Sequence, residues 1–220
     1  MNKEWSELNK TIQSQLKKKD SFDSGIVTLL KLRKELMKQI KEFRSQLDDS
    51  SFSAMPFKNA TGYHSKTIAY SLWHIFRIED IVAHTLIAED EQVFFEEDYQ
   101  TKIHSPIITT GNELSGEEIV SFSKELRIDE LYNYIEAVDI SSTKILESLT
   151  YGELKTKITD EKRSALENLA VISQDENAWW LIDYWCSKDT RGLIQMPFSR
   201  HWIMHVEASI RIMDKLLSTK

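Results

Sequence analysis

Four long stretches of this chain repeat apolar side chains at the three-and-four spacing of an α-helix, and strand-like alternation is weak everywhere. The first, about Ile26–Leu47, sets Leu29, Leu36, Met37, Ile40 and Phe43 on one side. The second, about Ser65–Glu89, carries Ile68, Leu72, Ile75, Val82 and Leu86. The third opens near Asp129, a natural helix cap, and repeats Leu131, Ile135, Val138, Ile145 and Leu149. The fourth runs about 197–217 through Trp202, Val206, Ile210 and Met213, with Pro197 suited to its first turn. Only 6 glycines and 3 prolines interrupt 220 residues, so these stretches have few internal breaks. An amphipathic stripe has to be buried against another, and four of them predict an all-α four-helix bundle.

The remaining segments decorate that bundle. Residues 1–21 read as an N-terminal leader helix, with Trp5, Leu8, Ile12 and Leu16 at helical spacing and Lys17, Lys18 and Lys19 at its C-terminal end. Residues 22–220 form the bundle domain. Asp48–Thr61 is a polar, Ser-rich loop. The connections at 90–115 and 150–195 are long for a bundle, whose links usually take about 2–8 residues. Within them, Ser115 and Glu118 fit a capping box for a short helix to about Lys124. Thr159 or Asp160 can start another segment. Asp175 precedes an aromatic stretch, Ala178–Ser187, that Gly192 closes. Long crossovers permit neighbouring helices to run parallel as well as antiparallel.

Composition removes several classes of function. The chain carries 35 acidic against 28 basic residues, a net charge of −7, which argues against a nucleic-acid surface. No apolar run approaches the ~20 residues that span a bilayer, and the N-terminus lacks the apolar core of a signal peptide. The single cysteine, Cys186, allows no intramolecular disulfide and fits a reducing compartment. The expectation is a cytoplasmic protein without membrane or nucleic-acid partners.

The chemistry concentrates in His201 and His205. Residues four apart share one helix face with Cβ atoms roughly 5–6 Å apart, and two imidazoles so placed can grip one metal ion. The best third donor is His74, within the second apolar stretch; taken alone, such a histidine is more often a hydrogen-bonded core residue than a ligand. Position 202 is Trp, so the Glu of the His-Glu-x-x-His protease motif is absent. Around the second helix, ~100° per residue puts His74 beside the main apolar stripe and Glu79 near its middle. A carboxylate there needs a partner, either a histidine N–H or an arginine such as Arg33 or Arg211. His64, His84 and His104 read as solvated, although His84 could enlarge a polar pocket. Cys186 reads as a small buried apolar residue with no nucleophile–base pair beside it, and Trp179–Trp185 as core or the wall of a pocket.

Leu72-Trp-His74 on the second helix, together with Met196-Pro-Phe-Ser-Arg-His201-x-x-x-His205-Val-Glu-Ala on the last, resembles the DinB-like superfamily, which includes the YfiT-like proteins. The resemblance covers residues 22–220. It implies an up-down-down-up four-helix bundle holding a divalent metal, zinc or nickel, on His74, His201 and His205. It also implies a small-molecule substrate. Some relatives are thiol S-transferases or isomerases that use a low-molecular-weight thiol, so a metal-dependent thiol S-transferase or hydrolase is one expectation. The other is a non-catalytic, stress-related or regulatory dimer that binds a metal or small ligand. The insertions at 90–115 and 150–195 depart from many relatives and are placed to rebuild the rim of the site.

Overall fold

The computed structural model describes residues 2–219, and apart from one isolated bridge between Lys157 and Asp189 these contain no β structure. The four long helices form where periodicity places them. The first is Phe22–Gln46. The second is Ile68–Asp80, capped by the Thr67 hydroxyl on the Tyr70 amide at 3.0 Å, and it continues as a wider π-helical stretch, Ile81–Ala88. The third is Ile128–Ser148, and the last is a π-helical turn, Met196–Arg200, running into His201–Leu217. Among the described residues no helix is long and apolar enough to cross a membrane.

The second helix is the axis of the molecule. Every residue from Ile68 to Asp80 is buried, not one stripe of them. It packs against the third and last helices, while the first helix packs against the third and last. Charged pairs between the first and third helices run in opposite order: Arg33–Asp139, Lys41–Glu136, Arg44–Asp129. Tyr134 bonds Asp80 and Ser141 bonds His84, so numbering ascends together on the second and third helices. It descends on the last as it rises toward the second, from Arg211 at His64 to Trp202 at Glu79.

Glu79 lies in the middle of the bundle with no exposure, and its two oxygens are filled. Arg33 grips it bidentately at 2.8 and 2.8 Å, Ser142 Oγ–H donates at 2.5 Å and Trp202 Nε1–H at 2.7 Å. Arg33 also reaches Asp139 at 2.6 Å. Four donors around one carboxylate meet the condition for keeping a charge in a core. The partner is therefore Arg33; Arg211 sits at His64 instead.

The leader helix, Lys3–Gln15, lies along the first helix and adds Trp5, Ile12 and Leu16 to the same core. Gly25 makes that approach possible, because a Cβ there would meet Leu16 Cδ2 at 2.8 Å. Both long insertions fold as short helices clamped to the second helix. In the first, the Asp80 carboxylate accepts the amides of Val93 and Phe94 at 2.9 and 3.0 Å. In the second, Asp160–Asn168 delivers Lys162, whose ammonium donates to the Leu86 carbonyl at 3.0 Å. A cation there meets a carbonyl at the C-terminal end of the second helix, where the dipole favours it.

Three local expectations are corrected. Asp129 lies in the first turn of the third helix, and Arg127 occupies the cap position; the Arg127 amide is held by the Ile103 carbonyl at 2.9 Å, so the helix starts earlier. Gly192 does not close the aromatic helix, Glu176–Cys186, but lies inside the next short helix, Thr190–Ile194, with its amide on Asp189 at 2.8 Å. The Asp48–Thr61 loop is not wholly polar surface: Asp48 caps a turn, Asp49–Phe52, that buries Phe52.

Candidate metal centre

His74, His201 and His205 come together. Each offers a ring nitrogen within 4.8 Å of the others'. Their ring centroids stand 4.9, 4.9 and 4.7 Å apart, and exposures are 5%, 6% and 2%. The expectation that His74 lies at the edge of an apolar stripe gives way to a different placement. Its helix is covered on all sides, and the histidine looks inward to the last helix.

Local sequence explains the approach on that side. Pro197 cannot donate an amide bond, and its ring crowds the carbonyl four residues back. The chain answers with a π turn in which the His201 amide donates to the Met196 carbonyl. Such turns insert one extra residue and re-aim the side chains that follow, often at functional sites. After it the helix is regular, so His201 and His205 share one face while Trp202 and Val206 sink into the core.

His74 is held from behind by the first insertion. Its Nδ1–H donates to the Thr110 carbonyl at 2.7 Å. A carbonyl only accepts, so the proton is on Nδ1 and the lone pair on Nε2, the arrangement of a metal-ligating imidazole with its outer partner. Tyr70 and Arg77, one turn away on either side, hold the neighbouring carbonyls: Tyr70 O–H donates to Gly111 at 2.9 Å, and Arg77 Nε–H to Ile108 at 2.9 Å. Gly111 has φ +77°, and a Cβ there would meet Tyr70 Cε2 at 3.1 Å. The insertion at 90–115 is thus the support of the site as well as part of its rim.

Burial sets the protonation. It pushes His74 down to about 4, opposed by the Thr110 bond and helped by the charge of Lys66. Burial, then the neighbouring imidazoles, pushes His201 and His205 well below the ordinary histidine range. All three are neutral near pH 7 and need lose no proton to ligate. The Nδ1 atoms of His201 and His205 are buried without a hydrogen-bond partner among the described residues. Buried polar atoms left without partners are costly. Three neutral nitrogen donors, one already oriented, could hold a metal ion.

The cluster opens on a cavity of about 560 Å³. Trp180, Leu181, Tyr184 and Trp185 wall it, so the aromatic stretch of the second insertion is pocket wall as well as core. Tyr63, Lys66, Tyr70 and Asn112 complete the rim. Tyr63 meets His205 edge-on at 4.8 Å, and Tyr70 stacks on His74 at 5.5 Å. Apart from Tyr70, none of these four stands out from motif or spacing in the sequence. Tyr70, four residues before His74, was the one with a legible signal.

The remaining candidates separate. His84 is not solvated: it is 3% exposed, donates from Nδ1 to Asp90 at 2.5 Å and accepts from Ser141 at 3.1 Å. His104 is exposed, as expected, and His64 is partly so. Cys186 is only partly buried, and burial raises its thiol. No protein-family model matches the chain, and no curated protein matches it, so its function rests on the site itself.

Proposed function

We propose that this chain is a divalent-metal protein of the DinB-like superfamily, holding zinc or nickel on His74, His201 and His205 before a small-molecule cavity. The observation that carries the reading is the closure of three buried, neutral imidazoles from two helices on the floor of that cavity. The opposed and shared directions of the helix pairs support an up-down-down-up bundle. Three protein donors leave coordination positions open, the pattern of a reactive rather than a purely structural centre. A divalent ion there supplies Lewis acidity and lowers the pKa of a bound water or thiol.

The protein's own groups bind and position. Thr110 orients His74, the aromatic wall supplies apolar contact, and Lys66 and the tyrosine hydroxyls provide polar contacts at the rim. These features favour reaction of a small molecule with a metal-activated low-molecular-weight thiol, or its hydrolysis, in a cytoplasmic protein. One observation favours the non-catalytic alternative of a regulatory, stress-linked sensor: among the described residues no carboxylate lines the cavity to act as general base.

Elemental analysis of protein made without a histidine tag should find one metal per chain, lost in His74→Ala. Metal-loaded protein given a thiol and an electrophilic substrate should turn over only with both present. Absence of metal would remove the reading. Metal without turnover across thiols, esters and amides would leave the sensor.

A further inference from the structure

The chain as a whole is acidic, with a net charge of −7, yet its cavity is not. Among the described residues that line it, no aspartate or glutamate occurs, and Lys66 carries the one formal charge. Lys66 is part-buried and makes no hydrogen bond or ion pair with a described residue; its ammonium stands 4.8 Å from the Tyr70 ring centroid. Other lysines near the core do find anions: Lys162 is paired with Glu89 at 3.0 Å. Lys66 lines the same cavity as His74, His201 and His205.

An ammonium withdrawn from water without an anion is costly, and the cost falls when an anion enters beside it. Low-dielectric walls focus the field of such a charge into the cavity. Here Trp180, Tyr184 and Trp185 line the cavity together with the imidazoles, and the volume of about 560 Å³ suits a small organic molecule. The polar anchor and the histidine cluster are separate features of one cavity. They define a ligand with two ends: an anionic group for Lys66, and an apolar or aromatic body whose reacting end meets the histidine floor.

We infer that the cavity selects a small aromatic or apolar carboxylic acid, with Lys66 binding its carboxylate. This rests on the proposed site as the place of binding, but the anchor itself needs no metal. Discrimination comes from repulsion as well as attraction: an amine of the same shape would set its charge against Lys66.

The test compares 3-phenylpropanoate, its neutral amide and 3-phenylpropylamine, by titration calorimetry on the full chain. Each is measured with zinc loaded and after exhaustive chelation. The expected result is a preference of roughly tenfold or more for the carboxylate over the amide, in both forms of the protein, and weakest binding of the amine; a hydrogen bond to a charged group supports that size. Lys66→Met should abolish the preference and Lys66→Arg should keep it, with helical circular dichroism and metal content unchanged in both. The inference is overturned if carboxylate and amide bind alike, if none of the three binds, or if Lys66→Met retains the preference. It is also overturned if the preference vanishes on chelation, because the anion would then be held by the metal. Failure to find any metal would sink the metal reading while leaving the chelated-protein comparison intact as the test of Lys66.

Discussion

Trp202 Nε1–H donates to Glu79 Oε2 at 2.7 Å, and the Arg33 guanidinium lies 4.4 Å from the Trp202 ring centroid. One residue from His201, the last helix is therefore tied to the buried charge cluster of the first and second. The bond fixes the rotation of the helix that presents His201 and His205. The histidine floor and the ion pair beneath it are parts of one packed interior.

Removing Glu79 alone should be severe. Glu79→Gln leaves Arg33 buried with a weaker partner, and breaking a buried pair costs about 3–5 kcal/mol. Denaturant midpoints should fall accordingly. Replacing both partners, as Arg33→Met with Glu79→Leu, should recover much of the loss, because the desolvation cost goes with the charges. If the double variant is as unstable as Glu79→Gln, the ion cluster contributes more than its charge balance.

The metal-binding variants carry a pH signature. His74→Ala, His201→Ala and His205→Ala should each weaken zinc binding greatly in competition with a chromophoric chelator, and chelation should leave the fold largely intact. Imidazole ligates only when neutral. Because burial holds His74 near 4, binding should persist below ~6.5, the ordinary histidine midpoint, and fail only in more acidic solution. In metal-free protein the unfolded chain takes up protons below ~6.5 that the folded histidines refuse. Stability should be fully present above that pH and decline as pH falls toward the folded value. A chelated protein whose melting temperature is flat from pH 7 to 4.5 would contradict the burial of these rings.

Gly111→Ala should act on both fold and site. The left-handed backbone costs roughly 1–2 kcal/mol for a residue with a Cβ, and the new methyl presses on Tyr70, which stacks on His74. Disturbing a ligand's outer support commonly lowers metal affinity by about 10–100-fold. Gly116→Ala is the control: its φ is +48°, but nothing lies within 4 Å of the added carbon. It should cost stability without touching metal affinity.

His84 and His104 should part company. His84→Ala removes a buried ring and leaves the Ser141 hydroxyl without its acceptor, and should lower stability by about 1–3 kcal/mol. His104→Ala, at an exposed position, should stay within about 0.5 kcal/mol. Neither should change metal stoichiometry. A lost metal in His84→Ala would mean that the second helix orients His74 through its π-helical end.

The four long helices, the leader, the capping box at Ser115 and the His201–His205 pair were legible in the chain, because each is set by spacing of 3.6 residues per turn or by a cap one turn long. The helical class followed from the same periodicity. What periodicity cannot carry is which faces meet. The sequence left His74 open between ligand and core histidine, and Glu79 open between a histidine, Arg33 and Arg211. Only tertiary packing chose: His74 points at the last helix, its proton goes to Thr110, and Glu79 goes to Arg33. The fate of the insertions was equally hidden. Their bonds to Tyr70, Arg77, Asp80 and Leu86 join residues more than a dozen positions apart, and no local pattern specifies them. His84 shows the same limit, since polar periodicity suggests solvent, whereas a neighbouring helix and a folded-back loop supply Ser141 and Asp90. Local sequence determines helices because their hydrogen bonds are local; the cavity, its lone lysine and its aromatic wall exist only once distant segments are packed together.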